Sequence, residues 1–186
     1  MSDRRAIVLD AAVRVFLRYG VKRATMNDIA EKAGISRQTL YNLFSGKTEV
    51  LSTVIETSTA DAIARIDAQI ETAETLDQQL DLVFDEMVLK PFDLLAQSPN
   101  AADIIEGMNG TAREALETCS QDYVALLVRI LSPHGAALSA AGHEVAELAE
   151  FIQVSAYGAK KVARDRAQMV AVLATLKALI LGALAA

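Results

Sequence analysis

The chain has no tryptophan, one cysteine, two histidines and three prolines among 186 residues, and aromatic residues make up only 5% of it. Each scarcity closes off a class of chemistry. With Cys119 alone, no disulfide can form within the chain, and a single thiol in a helical run reads as a small core residue. His134 and His143 lie in a Gly- and Ala-containing stretch without a cysteine partner, which makes no convincing metal site. The sequence contains no phosphate loop, no dinucleotide fingerprint and no nucleophile elbow. No catalytic residue, no metal and no cofactor is therefore expected, and the chain does not read as an enzyme. The lack of a signal-peptide pattern, together with the lone cysteine, predicts a cytoplasmic protein.

What is present is helical. Hydrophobic residues form 52% of the chain, and strand-like alternation is almost absent, so the fold class is all-α. Capping boxes, in which Ser, Thr or Asp precedes Glu or Gln by three positions, mark helix starts at Thr75 with Gln78, Thr111 with Glu114, and Asp165 with Gln168. Ser98-Pro99 and Ser132-Pro133-His134-Gly135 mark breaks. Helices are expected near 48–74, 76–97, 100–108, 112–131, 143–163 and 166–184. Three more before residue 47 bring the total to about nine.

The densest pattern lies between Thr25 and Lys47. Thr25 can cap a helix with Asp28 in its first turn, while Met26, Ile29, Ala30 and Ala33 keep the i, i+3, i+4, i+7 spacing of one buried face. Gly34 can adopt the left-handed conformation that ends a helix, and Ser36 can cap the next one. On that second helix Leu40, Leu43 and Phe44 share one side, and Arg37, Gln38, Tyr41, Asn42 and Ser45 share the other. Two short helices around a glycine turn, with a polar outer face on the second, suit the major groove. There Arg pairs bidentately with guanine and Gln or Asn with adenine, at about 1–3 kcal/mol of discrimination per pair. By the residues alone this is equally an ordinary solvated face.

The order and spacing of Thr25, Ile29-Ala30, Ala33-Gly34, Thr39-Leu40-Tyr41, Phe44 and Lys47 resemble the N-terminal domain of the TetR family of transcriptional regulators. The resemblance implies that Thr25, Tyr41 and Lys47 hold phosphates and that Arg37, Gln38, Thr39 and Asn42 lie against base edges, with Ser36 counted among the DNA-facing residues. It also implies a preceding helix with Val8, Ala12, Val15, Phe16 and Tyr19 on its inner face. The expected organisation is a three-helix helix-turn-helix DNA-binding domain over 1–47 and a helical ligand-binding and dimerisation domain over 48–186. Leu43 departs from the family pattern, which often places a polar or aromatic residue there, and by position it extends the core.

Charge divides along the same line. Residues 1–47 carry a net +5 and the remainder −11, so the chain is basic only where the motif lies. The last stretch, Met169 to Ala186, has only Thr175 and Lys177 as strongly polar residues. A membrane anchor is disfavoured because Lys177 would sit mid-span at about 2.5–3.5 kcal/mol. A helix apolar on every side can instead lie between its own core and a second subunit, which gives a homodimer through the last two helices. Small residues for close approach stand at Ser155, Ala156, Gly158 and Ala159, near Leu148, Phe151 and Ile152. The partners implied are an inverted-repeat DNA operator and an unidentified small-molecule effector whose binding releases a repressor from DNA, with no membrane. Large or adaptable side chains at Phe84, Met87, Phe92, Met108, Tyr123, Phe151 and Tyr157 are the candidate pocket, though as a set they also read as plain core. Asp85, Glu86, Asp103 and Glu106 read as wet-face charges or as attractors of a cationic ligand. Two alternatives stand beside this reading: a regulator of the same fold acting through a protein partner, and an all-helical small-molecule binding protein.

Overall fold

A computed structural model describes residues 2–185, with the side chains of Ser2, Asp3, Asn109, Thr111 and Ala185 left out. The described residues form helices and no strand. In chain order these are α1 (Ser2–Arg23), α2 (Met26–Ala33), α3 (Arg37–Leu43), α4 (Lys47–Ile70), α5 (Leu76–Phe84), α6 (Lys90–Ala96), α7 (Ala101–Thr111), α8 (Arg113–Leu131), α9 (Gly135–Ala140), α10 (Val145–Val162) and α11 (Arg166–Ala185). A π-helical turn, Asp85–Leu89, joins α5 to α6, and a 3-10 turn, Ser132–His134, joins α8 to α9. With each of those pairs counted as one, the described helices number nine. Neither the π turn nor α9 is among the elements expected from sequence.

The local stop and start signals act as their chemistry predicts. At Thr75 the hydroxyl accepts from the Gln78 N–H while the Gln78 side chain accepts from the Thr75 N–H, a reciprocal capping box. Asp165 accepts from the Gln168 N–H at 2.8 Å, but Gln168 Oε1 reaches the N–H of Arg164 instead, so that box closes one residue early. Thr111 ends α7, and its side chain, on which a third cap was expected, lies outside the described residues.

Packing sorts the chain into two units: Met1–Thr59 with Leu94–Cys119, and Ala60–Asp93 with Ser120–Ala186. The first unit is larger than the 1–47 segment expected from sequence, because a stretch some 80 residues downstream is bonded to the end of α1. Gly20, at φ 78° and ψ 167°, breaks that helix. Just before the break, the Leu17 carbonyl accepts from Ser98 Oγ at 2.6 Å and the Arg18 carbonyl from Asn100 Nδ2 at 2.8 Å. Just after it, the Lys22 N–H donates to Asp103 Oδ2 and its ammonium to Glu106. Buried Val8, Ala12, Val15, Phe16, Ile29, Leu40, Phe44, Val50 and Ile104 fill this unit's core. Met108 packs against the same core, and Tyr19, expected on the inner face of α1, is 37% exposed.

The second unit is built around Leu80, Val83, Phe84, Val88, Leu127, Leu131, Leu138, Ile152 and Met169. Here α11 lays Met169, Leu173, Leu176 and Ile180 into the core and holds Lys177 on Asp77 and Asp81 at 2.9 and 2.6 Å. The segments Arg113–Ala140 and Arg166–Leu184 are apolar and long enough to cross a bilayer by length and composition. The ion-paired Lys177 and the one-sided burial of α11 fit a helix of a folded core better. Glu86, expected on a wet face, is 2% exposed and bound by Arg65 at 2.8 Å and by Lys90. Burial pushes its pKa up, but the bonds from Lys90 and Arg65 outweigh this and hold it below the usual carboxylate range.

A Cβ at Gly107 would stand 2.6 Å from the Cβ of Val21, whereas one at Gly110, beside a cavity of about 260 Å³, meets nothing within 4 Å. Gly107→Ala is therefore expected to destabilise the protein by about 1–3 kcal/mol through overpacking. Gly110→Ala, in the same helix, is expected to be neutral or to stabilise by up to about 1 kcal/mol. Urea denaturation of the two variants measures the contrast, and equal midpoints would refute the close approach of α1 and α7.

Candidate DNA-binding surface

The orientation of α3 is set by the segments that precede it. Thr25 is extended at φ −119° and ψ 159°, accepts from the Asp28 N–H at 3.2 Å, and donates its own N–H and hydroxyl to Asp28 Oδ2 at 2.9 and 2.6 Å. Those bonds from Thr25 hold the Asp28 carboxyl below its ordinary pKa. Its contribution to stability is present above the usual carboxylate range and is lost as pH falls through the lowered value. At the other end of α2, Gly34 sits at φ 68° and ψ 31°, and the Ile35 N–H returns to the Ala30 carbonyl at 3.0 Å. Only glycine adopts this left-handed geometry without steric cost, so the turn angle into α3 depends on it.

On α3, Ser36 accepts from the Thr39 N–H at 3.1 Å and its hydroxyl lies 2.9 Å from that of Thr39. Leu40 and Phe44 are buried, and Leu43 packs partly buried against the same core, as its position suggested. Arg37, Gln38, Tyr41 and Asn42 are exposed together on the opposite side. Gln38 Nε2 donates to Asn42 Oδ1 at 3.0 Å, which aligns the two amides one turn apart. Among the described residues, Arg37 and Tyr41 make no side-chain hydrogen bond or ion pair within the protein. The structure therefore brings Thr25, Ser36, Arg37, Gln38, Thr39, Tyr41 and Asn42 onto adjoining turns, with Ser36 and Thr39 engaged in the helix cap.

Lys47 is placed differently from the sequence expectation. Its ammonium donates to the carbonyls of Val21, Lys22 and Ala24 at 2.7, 3.2 and 2.8 Å. An ammonium has three N–H donors, so all are taken up by the C-terminal end of α1, where unpaired carbonyls and the helix dipole favour a cation. Sequence reasoning also missed Arg5, whose guanidinium lies 4.5 Å from the centroid of the Phe44 ring, beside the end of α3. Only a contact across the fold could reveal that placement. Nearby, Glu49 accepts from the N–H and hydroxyl of Ser45, bonds that hold its carboxyl below the ordinary range.

Basic residues are divided between internal and outward roles. Lys22 pairs with Glu106 at 2.8 Å, a bond that raises its pKa; Arg23 donates to Asn100 at 2.7 Å, and Arg14 pairs with Asp10 at 2.9 Å. Among the described residues Arg4, Arg5, Arg18, Lys32 and Arg37 make no ion pair. Replacing Lys47 by Met leaves three carbonyls without their donor and is expected to cost about 1–3 kcal/mol in urea denaturation. Wild-type stability in that variant would show that the lysine does not close the end of α1.

Comparison with known proteins follows the same segment. Residues 8–54 match the family described as "Bacterial regulatory proteins, tetR family". The HTH-type transcriptional regulator TtgR of Pseudomonas putida is 35% identical over 93 residues, which are 47% of this chain and 44% of that protein. The chain thus matches less than half the length of that relative. Over the full fold, the crystal structure of a TetR transcription regulator from Haloarcula marismortui ATCC 43049 superposes with a TM-score of 0.72 at 19% identity, covering 95% of each chain. The transcriptional regulator FadR of Bacillus subtilis, solved in complex with stearoyl-CoA, gives a TM-score of 0.60 at 20% identity, covering 92% of this chain and 96% of the other. The capped helix pair, its polar outer face and the match at residues 8–54 coincide in one segment, and over that segment the chain is similar to the TetR family of bacterial regulatory proteins.

Proposed function

We propose that the protein is a homodimeric transcriptional repressor that reads an inverted-repeat operator with α3 and is released by a small-molecule effector bound in the second unit. The observation that carries the reading is the free outer face of α3. Arg37 and Tyr41 are exposed and, among the described residues, unpaired, on a helix whose start is capped and whose opposite side is anchored by Leu40 and Phe44. Arg37, Gln38 and Asn42 supply base-edge contacts, with Thr39 at their margin. Tyr41 and the Thr25 end of α2 face the phosphates, and Arg5, held over Phe44, adds a cation beside them. Lys47 acts by fixing the end of α1 rather than by binding a phosphate itself.

Dimerisation is supported by an apolar surface on the last two helices. Phe151, Val154, Tyr157 and Val162 on α10 and Val170, Val172 and Leu179 on α11 are exposed, Val154 and Leu179 to 64%. Two heads related by a twofold axis then meet half-sites about 34–36 Å apart or a multiple of that. Of the small residues considered for close approach, Ala156 and Ala159 face the protomer's own core, which leaves Ser155 and Gly158 for the partner. The effector pocket draws on Phe84, Met87, Phe92 and Tyr123, which share the core of the second unit. Met108 belongs to the first unit, while Phe151 and Tyr157 are 56% and 41% exposed. Asp103 and Glu106 are tied to Lys22 and are not available to a cationic ligand. That a neighbour of the same fold was solved with stearoyl-CoA supports a body able to admit a small molecule.

An electrophoretic shift on the intergenic DNA flanking the gene tests the reading. Arg37→Ala is expected to weaken binding to the specific site by about 1–3 kcal/mol while leaving the helical circular dichroism unchanged. Arg5→Ala is expected to lower affinity on all sequences and to reduce the slope of log affinity against log salt by about 0.9 if it neutralises one phosphate. Full binding by the Arg37 variant to DNA that the wild type shifts specifically would sink the proposal.

A further inference from the structure

Two polar groups in the second unit are left without the partners their chemistry calls for. The Tyr123 hydroxyl is buried and has no hydrogen-bond partner, the one such side-chain atom found among the described residues. An unpaired buried hydroxyl is destabilising, and folded proteins rarely keep one. Lys160, on α10, is the second group. Its ammonium donates to the Met87 carbonyl at 2.8 Å and, among the described residues, has no carboxylate partner. The nearby acid, Glu86, is already held by Arg65 and Lys90.

Both groups belong to the same region of this unit. Met87 lies in the π-helical turn Asp85–Leu89, against which α10 packs, and Tyr123 shares its core cluster with Phe84, Val88, Ala156 and Ala159. π turns inside α-helices recur at functional sites because the inserted residue disturbs the regular backbone bonding. Here Lys160 meets one carbonyl of that turn. Around it Met87, Leu89 and Phe92 are only partly buried.

We propose that Lys160 and Tyr123 form the polar end of a site for an anionic amphiphile, with its acidic head on the ammonium and the hydroxyl and its apolar body among Phe84, Met87, Val88 and Phe92. This rests on the reading of the second unit as the effector-binding part and names the class of effector. The head supplies the negative charge that Lys160 lacks and the acceptor that Tyr123 lacks. Burial lowers the Lys160 pKa to about 8, so the amine is still mostly charged at pH 7 and gains from an anionic partner.

The test uses the full chain without DNA and two fluorescent probes, 8-anilinonaphthalene-1-sulfonate and its uncharged counterpart N-phenyl-1-naphthylamine, titrated at pH 7. Wild type is expected to bind the sulfonate about tenfold or more tighter than the neutral probe, the size of a charge-assisted hydrogen bond. Lys160→Met is expected to abolish that preference without weakening the neutral probe. Tyr123→Phe is expected to weaken the sulfonate about threefold without lowering the thermal midpoint, because the deleted hydroxyl had no partner in the free protein. If Lys160→Met loses helical circular dichroism, Lys160→Gln decides by the same ratio. Equal binding of the two probes by wild type, or an unchanged preference in the folded Lys160 variant, overturns the site. Because no DNA is present, that failure leaves the operator reading intact, whereas an Arg37→Ala variant that still binds DNA fully would fail the operator reading alone.

Discussion

The first unit depends on how the C-terminal end of α1 is closed. Gly20 breaks the helix and leaves a run of carbonyls that water or side chains must satisfy. Ser98 and Asn100 take those before the break, and the Lys47 ammonium takes Val21, Lys22 and Ala24 after it. Thr25 follows at once and caps α2, so the direction in which α2 and α3 leave α1 is set by the same junction. One lysine thereby links the end of α1 to the first residue of α4, and the exposure of Arg37 and Tyr41 follows from the frame it closes. A charged group bonded three times is also hard to replace: Arg has a planar fork in place of three tetrahedral donors and cannot meet the same carbonyls in the same way.

Local features of this architecture were legible in the sequence and distant ones were not. The caps at Thr25 and Thr75 rest on bonds across three residues, so type and spacing suffice to foresee them. The helices from α4 to α11, with the exception of α9, follow from apolar periodicity and from helix-start and helix-stop residues. By contrast, the bonds from Ser98, Asn100 and Asp103 to α1 span 81 or more residues, and nothing in their local pattern announces a partner. Lys47 shows the same limit at closer range. Its position in the motif suggested a phosphate ligand, but the three carbonyls that hold it lie 23 to 26 residues earlier. The π turn is not foreseen either, although Pro91 just after it lacks the N–H that would bond the Met87 carbonyl, which accepts from Lys160 instead.

Burial of charge separates the two units. In the first, ion pairs such as Arg14 with Asp10 are exposed and contribute little to stability. In the second, Glu86 is almost wholly enclosed and Lys177 is 17% exposed, each with two partners of opposite sign. An enclosed pair is often no more stabilising than an apolar one, but removing one member leaves a costly unpaired charge, so it penalises alternative packings. For α11 this has a definite consequence. Its side chains are apolar nearly all round and could rotate about the helix axis at little cost, and the Lys177 contacts with Asp77 and Asp81 select one rotation. That rotation puts Leu173, Leu176 and Ile180 inward and leaves Val172 and Leu179 outward.

The allocation of cations in the first unit bears on how DNA can be held. Sequence-independent affinity comes mainly from phosphates neutralised by Lys and Arg, each releasing condensed counterions. Here Lys22, Arg23 and Lys47 are engaged by α7 or by α1 carbonyls, and Arg14 is paired, leaving Arg4, Arg5, Arg18, Lys32 and Arg37. Arg18 lies 5.1 Å over the Tyr19 ring, so fewer still stand beside α3. On the proposed reading, a single head then binds arbitrary DNA weakly, and the acidic remainder of the chain adds repulsion rather than grip. Useful affinity has to come from two heads bound at once, where the second engagement is intramolecular and its benefit depends steeply on the distance between heads. On the same reading, a head with little electrostatic reserve is one whose occupancy a modest change in the proposed dimer would control.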